Sequence, residues 1–71
     1  VRALVAGMNA QGLQLAHNLQ DARFHNFEVV GFVDDRSRER LPDDNRFALL
    51  GRFDTLGDVI RQQRIDHVYI S

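Results

Sequence analysis

Residues Val5-Ala6-Gly7-Met8-Asn9-Ala10-Gln11-Gly12 constrain this chain more than any others. An apolar run stops at a glycine, and a helix-compatible segment begins a few residues later. This spacing reads as the first turn of a dinucleotide-binding βαβ unit, whose pattern is Gly-x-Gly-x-x-Gly. Gly7 and Gly12 supply the first and third glycines, and Asn9 stands in the middle position. Gly7 lets the chain leave a strand in a tight turn, and Gly12 lets the following helix pack closely on the sheet. The middle position brings backbone up to a pyrophosphate, where a side chain is an obstacle. Asn tolerates positive φ, so the turn itself survives. The start of the helix also offers N–H groups and a positive dipole end to an anion. Two readings stay open: a packing turn without a ligand, or a weakened phosphate turn built from Gly7, Met8, Asn9 and Gly12.

The apolar runs fall in the order β-α-β-β-α-β. Ala3-Leu4-Val5-Ala6 is a buried parallel strand by its unbroken apolar character. A helix follows from about Ala10 to Asp21, with Gly12, Leu15, Ala16 and Leu19 on one face. Arg23 to Asn26 is a polar connection. Glu28 to Val33 is the second strand. Asp34 to Arg46 is charged, holds the only proline, Pro42, and reads as a loop, with a turn at Asp43-Asp44. Phe47 to Gly51 is a short third strand. Thr55 and Asp58 have the spacing of a capping box for a second helix, whose apolar face is Leu56, Val59 and Ile60. Asp66 to Ile70 is the last strand. Right-handed crossovers then require a parallel sheet ordered 3-2-1-4 with one helix on each face. This is an α/β fold, a truncated Rossmann-like three-layer arrangement. Its ligand position is the switch point between the first and fourth strands.

Composition narrows the function classes. Seventy-one residues make at most one small domain. The net charge is −1, which argues against a general nucleic-acid surface. All nine basic residues are Arg, which we read as genome bias. Without cysteine there is no disulfide or thiolate metal site. His17, His25 and His67 share no ligand spacing, so no metal centre is expected. Ser37 and Ser71 have no recognisable base partner, so no catalytic residue is expected. No apolar run reaches the ~20 residues that span a bilayer. Val1 opens almost inside a strand and Ser71 directly follows an apolar run, so we expect residues 1–71 to be one domain fragment of a longer protein. The fourth strand would then be an open apolar edge, suited to self-association.

Asp34 ends the second strand about 20 residues beyond the turn, where an acidic residue accepts ribose hydroxyls. Asp35 follows it, and the pair are candidate nucleotide contacts; the alternative is a polar strand end. Arg36, Arg38 and Arg40 could meet a phosphate or a nucleotide-sugar diphosphate, or could form a solvated loop. Tyr69 reads as core or edge packing.

Three segments carry a wider likeness: Arg2 to Gly12, Phe27-Glu28-Val29-Val30-Gly31-Phe32-Val33-Asp34-Asp35, and Ile65-Asp66-His67-Val68-Tyr69-Ile70-Ser71, with Leu50-Gly51 between the last two. Together they resemble the Rossmann-like, CoA-binding-type domain of bacterial polyprenyl-phosphate glycosylphosphotransferases, nearest the undecaprenyl-phosphate glucose phosphotransferase group. The resemblance implies a cytoplasmic domain of an inner-membrane protein, placed between membrane helices and a C-terminal transferase domain. That transferase domain moves a sugar-1-phosphate from a UDP-sugar to undecaprenyl phosphate in exopolysaccharide synthesis. It holds the Mg²⁺ and acidic catalytic residues, none of which lies in this chain. The implied role here is accessory or regulatory, with weak binding of a nucleotide, a UDP-sugar or NAD(H), or none. A related domain opens nucleotide-sugar 4,6-dehydratases, so an NAD-binding domain of a dehydratase or epimerase is the alternative. A structural self-association domain is a third.

Overall fold

The computed structural model describes residues 1–21, 26–41 and 46–71, with only the backbone of Arg38. The expected connection at Arg23 and His25, and the turn at Pro42, Asp43 and Asp44, lie outside the described residues. The elements are β1 (Arg2–Ala6), α1 (Ala10–Asp21), β2 (Glu28–Val33), β3 (Ala48–Gly51), α2 (Leu56–Gln63) and β4 (His67–Ile70). Short 3-10 turns occupy Arg38–Arg40 and Phe53–Thr55. The strands form one parallel sheet in the order β3-β2-β1-β4. This is the α/β architecture that right-handed crossovers require of the element order.

Each face of the sheet carries one helix. Val5 of β1 and Val29 and Phe32 of β2 pack with Ala16, Leu13 and Leu19 of α1 on one side. Leu4 and Ala6 of β1 and Val33 of β2 pack with Val59 and Leu56 of α2 on the other. Strand alternation alone would separate Val29 from Phe32, because they are three residues apart. A register shift opposite Ala3 and Leu4 reverses the alternation and brings both to the α1 face. Phe32, Leu4, Val5 and Val33 are fully buried. In so small a domain these four side chains carry much of the apolar burial, each worth about 1.5–3 kcal/mol.

Several local expectations are corrected. β3 opens at Ala48, and Phe47 instead turns into the core before it. The Phe47 ring meets Phe32 edge-on at 5.6 Å and His17 at 5.2 Å. His17 is therefore half-buried against an aromatic ring. α1 also packs Leu13, together with Leu19, against the core. Within the charged stretch after β2, Leu41 is buried with the α1 cluster. Thr55 and Asp58 do not form a capping box. The Thr55 Oγ1 bonds back to the Arg52 backbone, accepting from its N–H at 3.1 Å and facing its carbonyl at 3.0 Å. Asp58 pairs with Arg61. α2 ends on Arg64 in the left-handed conformation, with φ 54°, and the Ile65 N–H closes onto the Ile60 carbonyl.

Candidate functional site

β1 ends at Ala6, and Gly7 turns the chain with φ 110°, a region open to glycine. Its N–H is spent on the Val33 carbonyl at 2.9 Å. A Cβ on Gly12 would fall on the Gly7 carbonyl oxygen and within 2.8 Å of Ser71 Oγ. The third glycine therefore permits the close contact of α1 with the turn that the motif predicts.

Asn9 has a task that the motif does not describe. Its Oδ1 accepts the Gly12 N–H at 2.7 Å, and its carbonyl accepts the Leu13 N–H. Asn9 is thus the N-cap of α1, satisfying one of the donors that a helix start leaves open. The Ser71 hydroxyl sits against the same turn, donating to the Gly7 carbonyl at 2.8 Å and lying 3.4 Å from Asn9 Oδ1. Spacing in the sequence gave Ser71 no partner. The pairing of β4 with β1 delivers it, because Ala6 lies opposite Ile70 and the next residue meets the turn.

Asp34 is one of the most buried polar residues described, with 5% of its surface exposed. Its Oδ2 accepts the Met8 N–H at 2.8 Å. Arg36 forks onto both carboxylate oxygens, Nε to Oδ1 at 3.0 Å and Nη2 to Oδ2 at 2.8 Å. The Arg36 N–H bonds Oδ1 at 2.9 Å, and Nη2 also donates to the Met8 carbonyl at 2.9 Å. The Arg36 guanidinium holds the Asp34 carboxyl well below the usual carboxylate range; burial opposes this, and the Arg36 and Met8 backbone N–H groups add to it. In turn, Asp34 raises the pKa of Arg36. Asp35 is exposed and reaches the other way. Its Oδ1 accepts the Phe53 N–H at 2.8 Å and lies 3.9 Å from Arg52 Nε.

Asp34, Asp35, Arg36, Leu49, Gly51 and Arg52 line an open cleft of about 310 Å³. It lies over the C-terminal ends of β2 and β3, to one side of the β1–β4 switch point. The structure therefore brings Gly7, Met8, Asn9, Gly12 and Asp34 into one hydrogen-bonded unit, and places Asp35 in the cleft beside it. Of the three neighbouring arginines, Arg36 belongs to this unit and Arg40 is exposed. The clue to Arg36 is an Arg two residues after an acidic strand end, a spacing that a solvated loop shares.

A family model described as a CoA-binding domain matches residues 1–71. This chain belongs to that family. With the four-stranded parallel sheet, the match makes it a CoA-binding-type, Rossmann-like domain of nucleotide-binding character. No curated protein and no solved structure matches the chain.

A nucleotide diphosphate does not fit the turn of this CoA-binding-type domain as it stands. Asn9 Oδ1 holds the Gly12 N–H, and the Asp34 carboxylate holds the Met8 N–H. An incoming phosphate would face the Asn9 side chain at the Gly12 N–H and the Asp34 negative charge at the Met8 N–H. Among the described residues, no three His, Cys, Asp or Glu side chains converge as a metal site.

Proposed function

We propose that this domain is an accessory module of a membrane sugar-1-phosphate transferase, and that it contacts nucleotides weakly through the cleft beside Asp35 and Arg52. The observation that carries this reading is the occupied turn: Asp34 and Asn9 bind N–H groups of the Gly7–Gly12 segment from within. A domain whose diphosphate turn is filled by its own side chains is poorly suited to hold a redox cofactor, and well suited to a structural or regulatory role. The three segments that resemble those of polyprenyl-phosphate glycosylphosphotransferases supply the parent enzyme in this proposal, with transfer from a UDP-sugar to undecaprenyl phosphate by a separate domain. The placement is then on the cytoplasmic side of a bacterial inner membrane.

Calorimetry of the 71-residue chain with UDP-glucose, CoA and NAD tests the ligand half of the proposal. Millimolar or weaker constants for all three are expected. A micromolar constant for NAD would overturn it in favour of an NAD-dependent dehydratase or epimerase. The parent half is tested on the complete polypeptide that carries this domain. Membranes containing it should transfer radiolabelled sugar-1-phosphate to undecaprenyl phosphate, whereas the 71-residue chain should not. Absence of transfer by the complete polypeptide across the common UDP-sugars would overturn the assignment.

A further inference from the structure

We infer that the Met8 N–H and the Arg36 fork form an anion site that the chain fills with its own Asp34 carboxylate, and that a phosphate or diphosphate group binds there only when Asp34 withdraws. Four donors converge on this carboxylate: the Met8 N–H, the Arg36 N–H, and Arg36 Nε and Nη2. Such a set, backbone N–H groups plus a planar guanidinium fork, suits a phosphate as well as a carboxylate. Arg36 Nη2 also donates to the Met8 carbonyl, so the fork does not depend on Asp34 alone for its position. Both Asp34 and Arg36 line the open cleft. A ligand arriving there meets the Arg36 side chain, which is 42% exposed, with the Asp34 carboxylate already seated on its fork. The site is therefore reachable from solvent and is blocked from inside.

This inference rests on the reading of an occupied turn and adds what would empty it. It fails separately from that reading. Tight NAD binding by the unaltered chain overturns the reading, whereas the inference is decided by what happens when Asp34 is neutralised.

The probes are inorganic pyrophosphate and ADP, titrated by NMR and calorimetry into the unaltered chain, Asp34→Asn, and Asp34→Asn combined with Arg36→Gln. Asp34→Asn removes the competing charge at nearly constant shape. It should bind both probes about tenfold more tightly than the unaltered chain, and Arg36→Gln should abolish the gain. A gain for ADP alone would overturn the assignment of the diphosphate as the recognised group. No gain for either probe in a folded Asp34→Asn protein would overturn the site altogether. If Asp34→Asn does not fold, the unaltered chain decides. At high pyrophosphate the Met8 amide and Arg36 Nε–H resonances should shift together along one titration curve. Shifts absent from both, or confined to other residues, would overturn the proposal.

Discussion

The Met8 N–H points into the Asp34 carboxylate at 2.8 Å, joining the turn after β1 to the end of β2 across 26 residues of chain. Arg36 completes the link by binding Asp34 and the Met8 carbonyl together. The glycine turn is thus bracketed through both polar groups of one residue.

The first prediction concerns pH. Asp34 has its folded pKa depressed below the ordinary 3.8, chiefly by the Arg36 hydrogen bonds. A depressed carboxylate contributes stability that is fully present above the unfolded value and is lost as pH falls through the folded one. Urea midpoints should therefore hold between pH 7 and 5 and fall steadily below pH 4. Asp34→Asn should lower the unfolding free energy at pH 7 by about 2 kcal/mol, the worth of a buried hydrogen-bonded charge, and flatten the acid limb. An unchanged acid limb in the variant would place the pH dependence on other carboxylates.

Asn9 gives a second. As the N-cap of α1 it should lose about 1 kcal/mol on replacement by Ala and only a few tenths on replacement by Gly. Asn9→Gly also restores the middle glycine of the motif. Binding of UDP-glucose or NAD should rise modestly in that variant, because Asp34 still occupies the Met8 N–H. Thermal melts and calorimetry on the two variants check both effects. Equal losses for Ala and Gly would show that the side-chain cap is not what holds the helix start.

Arg64 ends α2 with φ 54°, a conformation that costs a side-chain-bearing residue about 1–2 kcal/mol. Glycine removes that cost but adds freedom to the unfolded chain, about 0.4–1 kcal/mol. Arg64→Gly should therefore be stabilising by about 0.5 kcal/mol. A lower melting temperature would show that Arg64 makes a compensating contact.

The fourth concerns the sheet edge. β4 pairs with β1 on one side, and Ile70 is 85% exposed. Edge strands with apolar side chains recruit further strands. Light scattering of the 71-residue chain should show mass rising with concentration, and Ile70→Lys should suppress the rise, since an edge lysine blunts such pairing. A strictly monomeric unaltered chain would remove this edge as an interface.

Element order and strand order were legible in the sequence for a simple reason. Ala3-Leu4-Val5-Ala6 and Val29 to Val33 are apolar along their length, as strands covered on both faces must be. A glycine-spaced turn followed by helical periodicity admits a right-handed crossover and little else. The close approach at Gly12 was legible too, because only a missing side chain permits it. Asn9 could be seen to break the motif, but its service as a cap depends on where Gly12 points once the helix exists. The pairing of Asp34 with Met8 and Arg36, the arrival of Ser71 at the turn, and the burial of Phe47 against His17 were decided by tertiary structure alone. Each joins residues distant in sequence or depends on the angle of a loop. A sheet register that slips by one at Val30 changes which side chains meet, and sequence periodicity carries no signal of that slip.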